Sequence, residues 1–289
     1  MTTYPTFQPA VDAIEGIQAL DGPAQEVQDA VKRVVPDDSP TKDLLSGTWL
    51  GHPLHAVLTD VVIGAWTSAA FLDMIPTKGA RKSADKLIGI GVLAALPTAA
   101  TGLSDWSDLG GKPRRIGFVH GLGNALAVYL QARSYMSRKR GRRFRGWLRS
   151  VSAMGIATGT AYLGGHLAYS KGVGVNQATF DDVPEDFVSV TDLESLADGK
   201  LTRVEANSAG VMLYRKGREV YALSDRCPHR GCSLSDGEVG DGSVTCGCHG
   251  STFRFEDGLI ERGPATSPAP SYEVRVQGGK VQVRLPGPR

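Results

Sequence analysis

Two short stretches, CPHRGC at residues 227–232 and CGCHGS at 246–251, hold all four cysteines of the 289-residue chain and two of its six histidines. Cys227 and His229 are separated by one residue, Cys246 and His249 by two, and sixteen residues lie between the pairs, giving C-x-H-x16-C-x2-H. Thiolates and imidazoles are ligands for soft or borderline metals, so the pattern predicts a metal centre held by two loops. A zinc site of the Cys2His2 type uses the same residue types, but it usually opens with two nearby cysteines and closes with two nearby histidines. One cysteine and one histidine per loop is a different distribution.

Working outward, the loops lie among short alternating runs: GVMLYR at 210–215, EVYALS at 219–224, TFRF at 252–255, YEVRV at 272–276 and KVQVRL at 280–285. Such runs, with Gly- and Asp-rich turns between them, predict β-strands and an all-β domain over residues 187–289. Two thiolates facing two imidazoles is the ligand set of a [2Fe–2S] centre whose potential the imidazoles raise. On this motif the C-terminal part, roughly 185–286, resembles the Rieske family. The resemblance implies that Cys227 and Cys246 bind the inner iron of a [2Fe–2S] cluster. It gives the outer, more exposed iron, where electrons enter and leave, to His229 and His249.

Cys232 and Cys248 stand where high-potential Rieske proteins of cytochrome bc complexes carry a disulfide tying the two loops. The resemblance therefore implies that bond, with two small buried thiols as the alternative. Ser251 matches a serine that donates a hydrogen bond to the cluster, which makes it a cofactor-binding candidate, but Phe253 replaces a tyrosine donor of that branch. The expected reduction potential therefore falls below that of the bc-complex proteins and above that of Rieske ferredoxins lacking the serine. HRG in the first loop is more ferredoxin-like, and GPA at 263–265 is similar to the proline-containing loop that covers the cluster.

The other half of the chain reads differently. Net charge is close to zero, with 32 Lys plus Arg against 30 Asp plus Glu, which points to no nucleic-acid partner. The charges are segregated: residues 1–48 hold eight acidic and three basic side chains, and residues 133–149 hold eight basic and no acidic ones. Four weakly charged segments near 49–73, 87–104, 116–132 and 150–170 approach the length needed to cross a hydrocarbon core of about 30 Å. They are rich in small residues, and Gly117/Gly121 and Gly155/Gly159 have the spacing of helix contacts in lipid. A soluble helical bundle is the alternative.

The expected fold class is thus multi-domain: an N-terminal all-α four-helix transmembrane bundle followed by an all-β Rieske domain. The divisions are an acidic N-terminal tail over 1–43, the bundle over 44–170, a flexible linker over 171–186 and the β domain from 187. Lys78, Arg81, Lys82 and Lys86 in the first connection, and the basic run from Arg138 to Arg149 in the third, predict cytoplasmic loops. Both the N-terminus and the Rieske domain then lie on the extracytoplasmic side of a bacterial cell membrane, an oxidising setting that suits the disulfide. Arg142 and Arg143 in GRRFRGWL are similar to a twin-arginine export signal, or are part of the positive-inside cluster. The bundle also resembles a family of predicted four-span membrane proteins of unknown function, through its HP-x-H opening, LAALPTAATGLSDW and GGHLAY.

His52, His55, His120 and His166 all fall in or beside the spans, where ionisable groups are costly and by default functional. The readings are helix-end polar residues, a site for haem b, a non-haem metal, or a quinone pocket. The function expected from all this is a membrane-anchored carrier of single electrons fed by a quinol or haem donor. The alternatives are a redox enzyme with a haem or metal active site in the membrane half, and a redox sensor or assembly subunit. Its partners are the lipid bilayer, donor and acceptor proteins or quinone, and a larger respiratory complex. No substrate that would make it an enzyme follows from the sequence.

Overall fold

A computed structural model describes residues 7–285, so the ends of the acidic segment (1–6) and of the β domain (286–289) lie outside the described residues. The helices in chain order are α1 Gln8–Gly16, α2 Asp21–Val34, α3 Pro40–Ser46, α4 Leu54–Asp73, α5 Lys78–Trp106, α6 Gly111–Lys139 and α7 Arg143–Gly165. The strands that follow are β1 Val188–Asp192, β2 Leu201–Ala206, β3 Ala209–Lys216, β4 Glu219–Ser224, β5 Glu238–Val239, β6 Ser243–Thr245, β7 Thr252–Arg254, β8 Ile260–Arg262, β9 Glu273–Gln277 and β10 Lys280–Arg284. The chain divides into two compact units, one of Met1–Val35 with Leu54–Val173, the other of Pro36–Pro53 with Gly174–Arg289.

In the helical unit, Thr77 starts α5 by accepting the Ala80 N–H at 3.2 Å. Helix α6 ends before Gly141, whose φ of +73° is the left-handed conformation of a helix C-terminus. Helices α4 and α5 are long and apolar enough to cross a membrane, while α6 and α7, at 29 and 23 residues, have the length but a more polar composition. Only 22% and 33% of the apolar windows of α4 and α5 are buried inside the protein. Leu93 and Leu96 are 68% and 64% exposed.

The small residues work as close-approach points, though not where the sequence spacing put them. Of Gly117, Gly121, Gly155 and Gly159, only Gly117 is crowded: a methyl there would lie 2.3 Å from the Trp106 ring, whereas the other three face open space. The tight contacts fall at Gly91 against Trp66, Gly123 against Thr160 and Gly146 against Arg138. A four-residue spacing marks one helix face but does not say which face meets a neighbour.

The acidic segment is not a loose tail over its described length. Val11 of α1 and Ala24 of α2 are buried in one cluster with Trp106, Leu109, Ile116, Leu163 and Leu167. Gln28 donates to the carbonyls of Trp106 and Leu109 at 3.0 and 2.8 Å, satisfying acceptors at the end of α5. Asp21 pairs with Arg114 and Arg115 at 3.1 and 2.6 Å, and these guanidiniums hold its carboxyl down at about 2.

The second unit is all-β apart from Pro36–Pro53 and short single turns. Three antiparallel sheets have the orders β1-β10-β9, β2-β3-β4 and β5-β6-β7-β8. One apolar core lies under the last sheet, with Met212, Leu223, Leu234, Val244, Phe253 and Phe255. A second joins the other two sheets through Val211, Leu213, Ala222, Tyr272, Val281 and Val283. The first cysteine stretch leaves the end of β4, and the second is the turn of the β6–β7 hairpin.

Candidate metal centre

The two stretches fold into loops with the same hydrogen-bond frame. In the first, Cys227 N donates to Cys232 O and Gly231 N to Cys227 O, both at 2.8 Å. In the second, Cys246 N donates to Ser251 O at 2.8 Å and Gly250 N to Cys246 O at 3.0 Å. The fifth residue of each is a glycine at φ +75° or +78°, because the chain must turn through a conformation that a side chain disfavours. The buried carboxylate of Asp225 braces the first loop by accepting Ser233 Oγ at 3.0 Å and Ser235 N at 2.8 Å.

Cys227 and Cys246 are buried free thiols, whereas Cys232 and Cys248 form a disulfide between the loops with Cα atoms 6.6 Å apart. The Cys246 sulfur also lies within 4.8 Å of both disulfide sulfurs, but a disulfide sulfur has no thiolate to offer a metal. The free thiols hydrogen-bond to each other, which raises Cys227 and lowers Cys246; burial adds to the rise at Cys227. Backbone N–H groups of His229 and Arg230 point at the Cys227 sulfur, and those of Cys248 and His249 at the Cys246 sulfur. Such donors favour thiolates. The His229 and His249 rings stand edge to face, with centroids 5.0 Å apart, and both are half-buried. Burial holds the His229 imidazole well below its ordinary pKa, helped by His249, Arg230 and Lys42. Neutral imidazoles and N–H-bonded sulfurs are the donor states an iron–sulfur cluster takes, so these residues fit it.

Ser251 is buried, and its Oγ accepts the Ala265 N–H at 3.0 Å, leaving the hydroxyl proton to donate elsewhere. This bond joins the second loop to the GPA turn, whose Gly263–Pro264 peptide is cis. Phe253 is fully buried in the core.

One part of this region carries no sequence signal that ties it to the site. Helix α3 is built by a Ser39 cap, whose Oγ accepts Lys42 N at 3.2 Å, by Pro40 in its first turn and by Gly47 at φ +84° after its last. It sits against the GPA turn: Thr48 Oγ1 donates to Ala265 O at 3.1 Å, and the Asp43 carboxylate accepts the Gly263 N–H. A methyl on Gly263 would lie 2.1 Å from Thr48 Oγ1, so only glycine lets the segment seat. Lys42 is fully buried, and its charge acts on His229.

The linker is also less slack than its composition suggests. Gln177 N donates to Pro228 O at 3.0 Å in the first loop, Ala178 is buried, and Asp181 pairs with Arg226 at 3.0 Å.

The four remaining histidines fall in different settings. His52 is exposed and belongs to the β unit's Pro36–Pro53 segment. His55 donates from Nδ1 to Thr98 O at 2.9 Å, tying α4 to α5. His120 donates from Nδ1 to Thr160 O at 2.8 Å, tying α6 to α7, and its Nε2 accepts from Asn124 at 3.0 Å. Both His120 nitrogens are therefore engaged, which favours a helix tie over a haem ligand there. His166 is buried, with Nε2 3.9 Å from Glu15 of α1.

Paired loops of this kind on an antiparallel scaffold define an iron–sulfur electron-transfer domain. Residues 186–273 match the profile of the Rieske [2Fe-2S] domain, and residues 51–177 match that of a predicted membrane protein family (DUF2231). The ferredoxin subunit of 3-phenylpropionate/cinnamic acid dioxygenase from Escherichia coli K12 is 34% identical over 90 residues, 31% of this chain and 84% of that one. Apoptosis-inducing factor 3 of Mus musculus is 31% identical over 103 residues, 35% of this chain and 17% of that one. Among solved structures, the ferredoxin of carbazole 1,9a-dioxygenase from Nocardioides aromaticivorans IC177 is 28% identical, with 35% of this chain and 98% of that one covered at a TM-score of 0.33. The chain belongs to the Rieske [2Fe-2S] family, as an electron-transfer protein whose cluster domain follows a membrane-predicted domain.

Proposed function

We propose that this protein carries single electrons at the extracytoplasmic face of a bacterial membrane, with Cys227, His229, Cys246 and His249 as the cluster ligands. The observation that carries this reading is the pair of matched loops, which brings two buried thiols and two half-buried imidazoles together beside a disulfide. When bound, the cluster supplies a site that accepts and releases one electron. The residues around it do the rest: backbone N–H groups hold the thiolates, the disulfide fixes the loop spacing, and the half-buried histidines face the redox partner.

The helical unit is the anchor, with α4 to α7 as four spans and both termini outside. Its exposed apolar surface supports lipid contact, since a water-soluble bundle would cover such residues. The basic α4–α5 and α6–α7 connections support a cytoplasmic position for both. The Cys232–Cys248 bond supports an oxidising compartment for the cluster domain. We take the spans to begin at Leu54 rather than at 44, because 36–53 groups with the cluster domain, and keep that domain at 187–289 with 171–186 joining the two. A quinol is the donor we favour over haem, because His120 has no open ring nitrogen. Acceptors of the kind served by the dioxygenase ferredoxin subunits are the alternative partners.

The test is EPR of the detergent-purified chain, oxidised and dithionite-reduced, with iron and acid-labile sulfide assayed alongside. A Rieske signal with about two irons per chain, lost in Cys246→Ser and altered in His249→Cys, is the expected result. A retained signal in Cys246→Ser would overturn the ligand assignment. Labelling of an introduced surface cysteine in the cluster domain by a membrane-impermeant maleimide on intact cells reads the orientation; labelling only after lysis would reverse it.

A further inference from the structure

The basic connection between α6 and α7 does more than carry charge. Arg138, fully buried, and Arg143 are both taken up by Asp73 and Asp85: Arg138 Nη1 lies 2.7 Å from Asp73 Oδ1 and 3.2 Å from Asp85 Oδ1, and Arg143 lies 2.8 and 3.1 Å from the same two carboxylates. Buried guanidiniums need such partners, so this quartet is a closed structural tie. It consumes the carboxylates at this end of the unit. It also engages the second arginine of the RR pair, a structural use independent of any export signal.

Four of the other five arginines between 133 and 149 are arranged around a space. Arg133, Arg140, Arg142 and Arg149, with Met136 and Ser137, line a cavity of about 100 Å³, and no carboxylate lines it. Arg133, Arg140 and Arg142 are exposed, and none of the four lining arginines makes an ion pair among the described residues. Arg149 is oriented by hydrogen bonds to Arg133 O, at 3.4 Å, and to Ser137 Oγ. Arg133 is steadied over the Tyr129 ring at 5.9 Å. Convergent guanidiniums repel one another unless an anion lies between them, and their planar forks match phosphate oxygens.

The surroundings say what kind of anion. The first turns of α7 expose Phe144, Trp147, Leu148 and Val151 at 70%, 41%, 45% and 50%, and the Phe144 and Trp147 rings stack at 6.0 Å. Exposed aromatic and aliphatic groups next to a basic cavity at the end of a span form an amphiphilic surface, of the kind that seats headgroups at a bilayer interface. We infer that this cavity binds the phosphate headgroup of an anionic phospholipid of the cytoplasmic leaflet. The arginines hold the phosphate while the acyl chains lie along the apolar face of α7. The inference rests on the four-span reading.

The test is native mass spectrometry of the full chain released from nanodiscs of dioleoyl phosphatidylglycerol or of dioleoyl phosphatidylcholine. The variants are R140Q/R142Q, which strips two cavity arginines, and K139Q/R145Q, which removes the same charge from positions that do not line it. In a chain released from the bilayer only direct contacts hold the lipid, and each guanidinium bonded to the phosphate is worth about tenfold in affinity, so R140Q/R142Q is expected to weaken phosphatidylglycerol retention about a hundredfold. The control pair should weaken it less than about fivefold, and phosphatidylcholine should not be retained. Equal loss in both pairs, or equal retention of the two lipids, overturns the site. Displacement of phosphatidylglycerol by inorganic phosphate at equal concentration makes the cavity a free-anion site and overturns the lipid assignment. Wild-type chain released from membranes by carbonate would show instead that the four-span reading has failed, and the inference with it.

Discussion

Replacing both half-cystines, Cys232→Ser with Cys248→Ser, isolates what the disulfide contributes. The bond joins residues sixteen positions apart, and closing a loop of that length in the unfolded chain is worth about 3 kcal/mol in the chain-entropy account. In a domain of roughly a hundred residues that corresponds to a drop of about 15 °C in the thermal midpoint. The cluster modifies this in a specific way. Its proposed ligands Cys227 and Cys246 close nearly the same loop, from the same two strand ends, so the two cross-links are not additive. The apo chain, prepared by chelation, should therefore show the full shift, and the loaded chain a smaller one. Circular dichroism melts of the detergent-solubilised full chain in both states read the two numbers. An apo shift below about 2 °C, or a loaded shift as large as the apo one, refutes the shared-loop argument.

Lys42→Met should lower the reduction potential, because an ammonium acting on His229 favours the more negative reduced state; Lys42→Arg should keep most of it. Redox titration followed by EPR reads this, and an unchanged potential in Lys42→Met leaves the segment with a packing role only. Asp21→Asn should destabilise the helical unit at neutral pH. The Asp21 carboxyl is held down at about 2 by Arg115 and Arg114, so its contribution is present above the ordinary Asp value and is lost as pH falls towards 2. Thermal midpoints of wild type and variant should differ at pH 6 and converge near pH 2. A constant gap across that range would mean that Asp21 acts by packing rather than by charge.

The cluster loops were legible because their chemistry is local: ligand types, short spacings and a glycine at the fifth position of each stretch all lie within six residues. The β-strands followed from alternation, and α4 and α5 from their apolar length. The disulfide was implied only by resemblance to a family, since four cysteines in two loops permit more than one pairing. The Pro36–Pro53 segment was not legible. Its contact from Thr48 to Ala265 spans 217 positions, and Lys42, Asp43 and Thr48 are ordinary residues for a capped surface helix. The same limit explains the glycines, whose spacing marked a face but not the neighbour. It also explains the arginines, a single basic run in the sequence from which the fold ties two to carboxylates and sets four around a cavity. Local sequence set the ligands and element lengths, because those depend on residues a few positions apart. Tertiary structure alone decided which polar groups meet across the fold, because burial leaves a charge stable only beside a partner that the chain brings from far away.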